Sequence, residues 1–345
     1  MAAVISAHGL AKNFGSTVAL DGVDLEVAQC TVLGLLGPNG AGKTTTVGVL
    51  TTLLRPDAGR AFVAGVDVLK HPARVRSLIG VSGQFAAVDE YLTGRENLQM
   101  VGELYQMKLK GAKYRARELL EWFELSDAAD RPAKTYSGGM RRRLDLAAAL
   151  MVRPPVIFLD EPTTGLDPHS RLMLWKVIAT LAEEGTTILL TTQYLEEADR
   201  LAHNIAVVDH GRVIANGPSD DLKAWVGGQR VEVIVHDRAS IAAAAEVLAA
   251  FAKSEAAVEG HTRKITVAAS GGVRILASLA WELAERRILV DDISLRRPTL
   301  DDVFLSLTGH ASEATAGPAM MAGAEASGAG TVKDDGASSK AGKVS

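Results

Sequence analysis

The chain has 345 residues, of which 47% are hydrophobic and 23% are charged, with a formal net charge of −4 and a pI of about 6.1. This composition indicates a globular protein with a substantial core, and the length favours two domains. The charge balance provides no basic field for nucleic acid, so we expect no nucleic-acid partner. The single cysteine, Cys30, excludes an internal disulfide and fits a reducing compartment.

The sequence offers no membrane-spanning or secretory segment. It contains no uninterrupted apolar run of about 18 or more residues, which is the length a spanning helix needs. The most apolar stretch, residues 239–252, is short and rich in alanine, and it predicts an amphipathic helix. Residues 1–5 lack the basic and apolar segments of a signal peptide. We therefore expect the chain to stay in the cytosol or on the cytosolic face of a membrane.

Strands and helices are predicted to alternate along the first two thirds of the chain. Apolar runs bounded by turn residues predict strands at 4–10, 23–27, 32–36, 61–65, 79–82, 156–159, 187–190 and 205–208. Helices are predicted at 43–54, 168–182 and 195–201, and another runs through Met151. Between residues 95 and 125, apolar side chains recur at helical spacing, which predicts a small helical insertion. This alternation predicts an α/β fold, with a mostly parallel sheet covered by helices on both faces.

A shift in composition around residues 225–229 predicts a domain boundary. Beyond it, strands at 231–235, 264–267 and 290–296 and helices at 241–252 and 272–285 predict a small α/β module. From residue 311 onward, alanine, glycine and serine dominate, so this tail buries too little apolar surface to offset its ordering entropy. The predicted organisation is a first domain over 1–226 with a helical subdomain at about 94–150, a second domain over 227–310, and a disordered tail over 311–345.

Residues 37–44 read Gly-Pro-Asn-Gly-Ala-Gly-Lys-Thr, the G-x-x-x-x-G-K-[ST] spacing of a phosphate-binding loop between a strand and a helix. Glycines let successive backbone N–H groups surround phosphate oxygens, and the helix directs its positive end at the same anion. We expect Lys43 to reach the β- and γ-phosphates and the Thr44 hydroxyl to bind Mg²⁺. The predicted nucleotide-binding residues of this segment are Gly37, Pro38, Asn39, Gly40, Ala41, Gly42, Lys43, Thr44 and Thr45.

Three further motifs carry chemistry. Asp160 and Glu161 end a buried apolar run; Asp160 can hold Mg²⁺, and Glu161 can orient and deprotonate an attacking water. Ser137-Gly138-Gly139 begins a helix and directs a hydroxyl and backbone N–H groups at an anion, although alone it also fits a simple helix cap. Gln84 follows a short strand, and its amide can bridge the metal and the attacking water.

In this order, the motifs resemble the nucleotide-binding subunits of ABC transporters over about residues 4–225. The resemblance implies a P-loop NTPase fold, with a RecA-like core and a helical subdomain, followed here by the small α/β domain. Phe14 falls where the family stacks an aromatic ring on adenine, and the alternative is an exposed phenylalanine at a turn. The family motifs are Walker A (37–45), the Q-loop (Gln84), the signature (Ser137, Gly138, Gly139), Walker B (Asp160, Glu161) and the D-loop (Asp167).

Residues 136–150, 191–199 and 297–304 resemble the daunorubicin/doxorubicin-resistance group of ABC exporters. Most ABC subunits have a histidine at the switch position, where this chain has Gln193. Glutamine can donate and accept a hydrogen bond but carries no charge, so we expect slow hydrolysis that depends on Glu161. The second domain resembles the C-terminal module of this group, and a packing role and a regulatory role for it stay open as equal alternatives.

The resemblance implies ATP and Mg²⁺ as cofactors and a homodimer in which Ser137 and Gly139 of one subunit cap ATP bound by the other. ATP closes this dimer, hydrolysis opens it, and the helical insertion passes the motion to an ABC-2-type permease on a separate chain. The chain would then be the ATPase motor of a drug or lipid exporter, peripheral on the cytoplasmic face of the membrane. The exported compound is not defined by the sequence.

The arginine run Arg141-Arg142-Arg143 follows the signature motif. It suggests a phosphate or lipid patch, but salt bridges at the start of the signature helix are the favoured interpretation of so short a run.

Two other functions stay open from the sequence. One is a soluble ABC ATPase that acts on ribosomes or nucleic acid, which the acidic charge balance does not favour. The other is a nucleotide-sensing module that barely hydrolyses, supported by Gln193 and opposed by Glu161. The choice between ATP and GTP also stays open, because a stacking Phe14 accepts any purine face.

Overall fold

The computed structural model describes residues 3–83, 88–225, 228–269 and 273–309. The strands are β1 (Ala3–Phe14), β2 (Thr17–Ala28), β3 (Val32–Leu36), β4 (Ala58–Val63), β5 (Val66–Asp67), β6 (Ile79–Ser82), β7 (Val156–Asp160), β8 (Thr187–Thr192), β9 (Asn204–Asp209), β10 (Arg212–Gly217), β11 (Arg230–Val235), β12 (Ala257–Glu259), β13 (Lys264–Ala268) and β14 (Val290–Arg296). The α-helices are α1 (Lys43–Leu50), α2 (Pro72–Arg76), α3 (Gly94–Leu104), α4 (Leu109–Trp122), α5 (Gly138–Ala149), α6 (Pro168–Glu183), α7 (Leu195–Leu201), α8 (Ser219–Trp225), α9 (Ile241–Ala252), α10 (Val273–Glu285) and α11 (Leu300–Thr308).

The central sheet has six strands in the order β10-β9-β3-β8-β7-β6. Its strands are parallel except for β10, which pairs antiparallel with β9 at the edge. Every residue of β3, β7 and β8 is buried, as expected for parallel strands covered on both faces. The carboxyl ends of these three strands lie at one edge, so the side chains that follow them meet there.

The two faces of the central sheet are covered differently. In β7, Ile157 and Leu159 belong to the core that the sheet shares with α3–α6. Val156 and Phe158 belong to the core shared with α1 and with a second, antiparallel sheet in the order β2-β1-β4-β5. The prediction of helices on both faces is therefore incomplete, because β1 and β2 pair with each other as a hairpin instead of joining the central sheet.

Most predicted elements are present, but their ends differ. Helix α1 ends at Leu50 instead of residue 54. Just after Leu50, the hydroxyl of Thr51 donates to the Val47 carbonyl, and Thr52 has a φ of +66°, which is not helical. The predicted helical insertion is present as α3 and α4. Six elements that the sequence did not predict are β5, α2, β10, α8, β12 and α11.

The last part of the described chain forms a third sheet, antiparallel, in the order β12-β13-β11-β14. Alternate residues of β11 are buried in a core that α9 and α10 share. Helix α11 lies elsewhere: Leu300, Val303 and Phe304 pack in one cluster with Leu195 of α7 and Leu222 of α8. The residues after 309, including the predicted tail, lie outside the described part of the chain. Within the described ranges, no helix has both the length and the apolar character to cross a bilayer.

Candidate nucleotide-binding and catalytic site

The loop between β3 and α1 has no room for side chains at two of its glycines. A Cβ on Gly37 would lie 2.3 Å from the backbone oxygen of Val208. Gly42 has a φ of +107°, and a Cβ there would lie 2.6 Å from the Ala19 carbonyl oxygen. Gly42 is also the N-cap of α1, and it offers no side-chain cap to the first N–H groups of the helix. The backbone donors at this helix start therefore suit an anion such as a phosphate.

Lys43 is the first residue of α1 and is almost entirely buried, with 4% of its surface exposed. Its Nζ donates hydrogen bonds to the carbonyl oxygens of Gly37, at 2.8 Å, and Pro38, at 2.9 Å. The same Nζ lies 3.7 Å from Oε1 of Glu161, which is also buried. The Lys43 ammonium and the Glu161 carboxylate are thus adjacent and buried at the phosphate loop.

Asp160 ends β7 next to the hydroxyl of Thr44. Thr44 Oγ1 donates to Asp160 Oδ1 at 3.3 Å, and Thr191 Oγ1 donates to the same oxygen at 2.5 Å. A hydroxyl and a carboxylate oxygen side by side at the phosphate loop are the ligand types that Mg²⁺ takes in nucleotide sites. The residues present therefore fit a divalent cation.

Glu161 has a left-handed backbone, with a φ of +49°, which is unusual for a residue other than glycine. Its N–H donates to the hydroxyl of Thr191 at 3.0 Å, and Thr164 Oγ1 donates to its Oε2 at 3.3 Å. These contacts fix both the backbone and the carboxyl of Glu161 in the turn that follows β7.

Gln193, the residue at the predicted switch position, follows β8, which lies between β3 and β7 in the sheet. Its amide oxygen is buried and has no hydrogen-bond partner among the described residues. A buried acceptor without a partner, at the edge where the phosphate loop and the carboxylates meet, fits a site that takes a hydrogen-bonding ligand. Gln84, the other predicted amide, lies outside the described residues.

Comparisons with known proteins agree with this geometry. The family model for ABC transporters matches residues 20–164. The daunorubicin resistance ATP-binding protein DrrA2 of Streptomyces coeruleorubidus is 53% identical over 90% of this chain and 97% of its own length. The chain belongs to the daunorubicin/doxorubicin-resistance group of ABC transporter ATP-binding proteins. The daunorubicin/doxorubicin resistance ATP-binding protein DrrA of Streptomyces peucetius is 50% identical over 90% of this chain and 93% of its own.

The fold agrees as well. A solved ATP-binding subunit of an ABC transporter superimposes with a TM-score of 0.59 at 26% identity, covering 64% of this chain and 92% of that one. Membership of the ABC family makes the chain an ATP-binding, ABC-type ATPase and the motor subunit of an exporter, which acts with a membrane partner and dimerises. The family, the fold class and the ATPase activity expected from the sequence are thus confirmed.

The predicted signature residues lie at the start of α5. Ser137 is its N-cap and accepts a hydrogen bond from the Met140 N–H at 3.2 Å, while Ser137 and Gly138 are exposed. Gly139 is buried, and a Cβ there would lie 2.6 Å from Ser170 Oγ of α6. Asp167 caps α6 through Ser170, whose hydroxyl donates to it at 2.6 Å and lowers the pKa of the Asp167 carboxyl. The signature and the D-loop aspartate therefore form one surface.

Phe14 lies where β1 turns into β2, opposite Thr17 in the hairpin. Its ring is 49% exposed, and the ammonium of Lys12 lies 5.5 Å from the ring centre. From this hairpin, β2 runs back to Ala19, whose carbonyl oxygen lies against Gly42 of the phosphate loop. The ring is thus half-exposed, and β2 connects its hairpin to the segment beside the phosphate loop, which suits the predicted stacking on a base.

Two parts of the site were missed by sequence reasoning. Thr191 binds both the Asp160 carboxyl and the Glu161 N–H. Glu197 of α7 is fully buried and accepts hydrogen bonds from Thr163 Oγ1 at 2.8 Å and Trp175 Nε1 at 3.0 Å. A threonine at the end of a buried strand beside β7 was the available signal for Thr191, whereas nothing local marked Glu197.

The arginine run divides into three separate roles. Arg141 forms a 2.9 Å ion pair with Glu90, as the favoured salt-bridge interpretation predicts. Arg143 donates to the Phe123 carbonyl at 2.9 Å and contacts Met173 Sδ at 3.4 Å. Arg142 is directed inward, toward the turn that carries Glu161. The three side chains therefore do not act as one patch.

Proposed function

We propose that Glu161 is the general base of ATP hydrolysis, with Lys43 binding the β- and γ-phosphates and Gln193 contacting the γ-phosphate. The observation that carries this proposal is the 3.7 Å separation of Lys43 Nζ and Glu161 Oε1, both buried at the phosphate loop. A carboxylate next to the cation that binds the transferred phosphate is in place to take a proton from an attacking water. The phosphates are bound by the loop of residues 37–45, and Phe14 stacks on the adenine.

Mg²⁺ would be bound by the Thr44 hydroxyl and Asp160, with Gln84 as a further ligand, and would neutralise charge on the phosphates. The 3.3 Å contact between Thr44 Oγ1 and Asp160 Oδ1 supports this assignment. The Thr191 hydroxyl donates to the same Asp160 oxygen and accepts a hydrogen bond from the Glu161 N–H. Thr191 would therefore orient the Asp160 carboxyl before a ligand binds.

The dimer proposed here is a homodimer that meets through the signature surface. Ser137, Gly138 and Asp167 are exposed, and Gly139 places the signature against the first turn of α6. Uncharged donors on such a surface can cap the ATP of a second subunit and stabilise charge in its transition state. The sites would then be complete only in the closed dimer.

The membrane partner proposed is an ABC-2-type permease on a separate chain, which places this subunit on the cytoplasmic face of the membrane. The helical region of α3 and α4 would transmit the movement of the dimer to it. The relatives are named for resistance to daunorubicin and doxorubicin, so we assign the exported compound to drugs of that kind. The division into a nucleotide-binding domain over 1–226 and a second domain over 227–310 is part of the same proposal.

The experiment compares ATP hydrolysis by the purified full chain and by Glu161→Gln, each with and without candidate permeases from neighbouring genes. We expect Glu161→Gln to lower kcat by about 10²–10⁴-fold while MgATP binding is retained, because only the proton transfer is removed. The matched control is Glu196→Gln, the same substitution on an exposed carboxylate of α7, which should leave kcat unchanged.

One permease should raise the turnover of the wild type and have no effect on Glu161→Gln. Equal turnover in the wild type and Glu161→Gln would refute the assignment of the base. Stimulation by no permease would leave the ATPase assignment standing and refute the proposed partner.

A further inference from the structure

Arg142 lies on the signature helix α5, and its guanidinium donates hydrogen bonds to four backbone carbonyl oxygens. Nη2 donates to Asp160 at 2.8 Å and to Glu161 at 2.9 Å, and Nε donates to Pro162 at 2.9 Å. Nη1 donates to the carbonyl of Gly83. Asp160 is the last residue of β7, Glu161 and Pro162 begin the turn after it, and Gly83 directly follows β6.

The guanidinium is fixed from its other side as well. Its side chain is 14% exposed, and Asp145, one turn further along α5, lies 3.8 Å from Nη1. The Asp145 carboxyl in turn accepts a 2.6 Å hydrogen bond from Ser82 Oγ, the last residue of β6. Burial lowers the pKa of Arg142, against the opposing effect of Asp145 and the other nearby carboxylates. A buried cation with its donors directed at carbonyls is costly to displace, so these segments are held together tightly.

The turn that Arg142 contacts has a strained backbone at Glu161, the proposed general base. Glu161 has a φ of +49°, a conformation that is unfavourable for a residue other than glycine and that persists only where the surrounding structure fixes it. The carbonyl groups of residues 160, 161 and 162 all accept hydrogen bonds from the Arg142 guanidinium. Three consecutive carbonyls can reach one group only if the backbone turns at Glu161. The same turn directs the Glu161 carboxyl at Lys43.

We propose that Arg142 is a positioning residue that connects the signature helix to the catalytic carboxylate of its own subunit. When Ser137 at the start of α5 meets a nucleotide on the partner subunit, any rotation of α5 reaches Glu161 through this guanidinium. The contact with Gly83 carries the same movement to the end of β6. The inference rests on the proposed role of Glu161 as general base.

A planar fork with five N–H donors is what the four carbonyls require, and lysine cannot replace it. We therefore expect Arg142→Met and Arg142→Lys to lower kcat by about 10- to 10²-fold, the loss typical of a misplaced catalytic group. The KM for ATP and the binding of MgATP should stay within about twofold of wild type, because the phosphate loop is untouched. The matched control is Arg141→Met, which removes the ion pair with Glu90 and a 3.3 Å hydrogen bond to the Tyr136 carbonyl but no contact with the turn of Glu161, and it should leave kcat unchanged.

The deciding measurement is a double-mutant cycle with Glu161→Gln in the full chain. If Arg142 acts through Glu161, adding Arg142→Met to Glu161→Gln should change kcat by less than about threefold. Independent, multiplicative losses would overturn the inference, and so would single Arg142 variants with wild-type kcat. Should Arg142→Met fail to fold, Arg142→Lys, which keeps the charge, takes its place in the cycle. Full activity in Glu161→Gln alone would instead refute the proposed base, so the two failures are distinguishable.

Discussion

Glu197 tests how helix α7, which follows Gln193, is held against the rest of the site. It lies in α7, four residues after Gln193, and is fully buried. One carboxyl oxygen accepts hydrogen bonds from Thr163, in the turn after Glu161, and from Trp175 of α6. The other, Oε2, is buried without a hydrogen-bond partner among the described residues. Truncation to alanine and replacement by glutamine separate the two properties of this side chain, its acceptor and its charge.

Glu197→Ala leaves the hydroxyl of Thr163 and the indole N–H of Trp175 buried without an acceptor. Both residues are buried, Thr163 at 0% and Trp175 at 2% exposure, so water cannot replace the carboxyl easily. At about 1–3 kcal/mol for each unsatisfied donor, the free energy of unfolding should fall by about 2–6 kcal/mol, before any cavity cost. Urea titration of the full chain, followed by tryptophan fluorescence, measures this loss.

Glu197→Gln keeps an oxygen for both donors and removes the charge. Burial raises the pKa of the Glu197 carboxyl above its ordinary value of 4.5, against the effect of its hydrogen bonds. Between the unfolded and folded pKa values, the folded state therefore holds more protons than the unfolded state. The contribution of Glu197 to the free energy of unfolding thus falls as the pH rises through that interval, and it is fully present only below about 4.5. Glutamine should match the wild type at low pH and exceed it at neutral pH.

The two variants should therefore behave oppositely at pH 7, with alanine less stable and glutamine more stable than the wild type. Equal losses in both would show that the negative charge, and not the acceptor, stabilises α7. A stability difference between glutamine and wild type that does not change with pH would show that the Glu197 carboxyl has the same pKa in the folded and unfolded protein.

Three further predictions follow from the site and the packing. Gly37→Ala places a Cβ 2.3 Å from the Val208 carbonyl oxygen, so the phosphate loop must shift and MgATP binding should be lost in equilibrium titrations. Retained affinity would contradict the proposed phosphate-binding role of this loop. Gln193→His should raise kcat, and more so as the pH falls below about 6.5 where the imidazole gains a proton; an unchanged pH–rate profile would show that the position does not limit turnover. Phe304→Ala should lower the free energy of unfolding by about 3–5 kcal/mol, whereas Leu305→Ala, at an exposed position, should change it by less than about 0.5, and similar losses would contradict the packing of α11.

The buried strands of the central sheet could be predicted because their residue pattern is local. The run at 32–36 is apolar throughout and lies buried on both faces, and its predicted ends are those of β3. Strand β10 was missed because it is a partly exposed edge strand, Arg-Val-Ile-Ala-Asn-Gly, in which no buried alternation stands out. Helix α11 was missed although Thr299 and Asp302 form a capping box at its start.

The residues of the site that act through their neighbours in sequence were predictable, and those that act across the fold were not. The loop around Lys43 and the pair Asp160 and Glu161 follow from motif spacing. The partners of Arg142 are backbone carbonyls distant in sequence. Every residue has such a carbonyl, so no sequence pattern predicts these hydrogen bonds. Glu197 is similar, because a glutamate on an amphipathic helix is usually exposed.

The position of α11 bears on how this protein can be cut into pieces. The third sheet follows the first two sheets in the chain, and α11, the last described helix, packs on the apolar surface of α7 and α8. A protein shortened at residue 226 would expose Leu195, Ala198 and Leu222 to water. Such an apolar patch favours self-association, so a fragment of this kind would report aggregation and not the activity of an isolated motor. A fusion that carries residues 300–308 back to the shortened chain would preserve that surface.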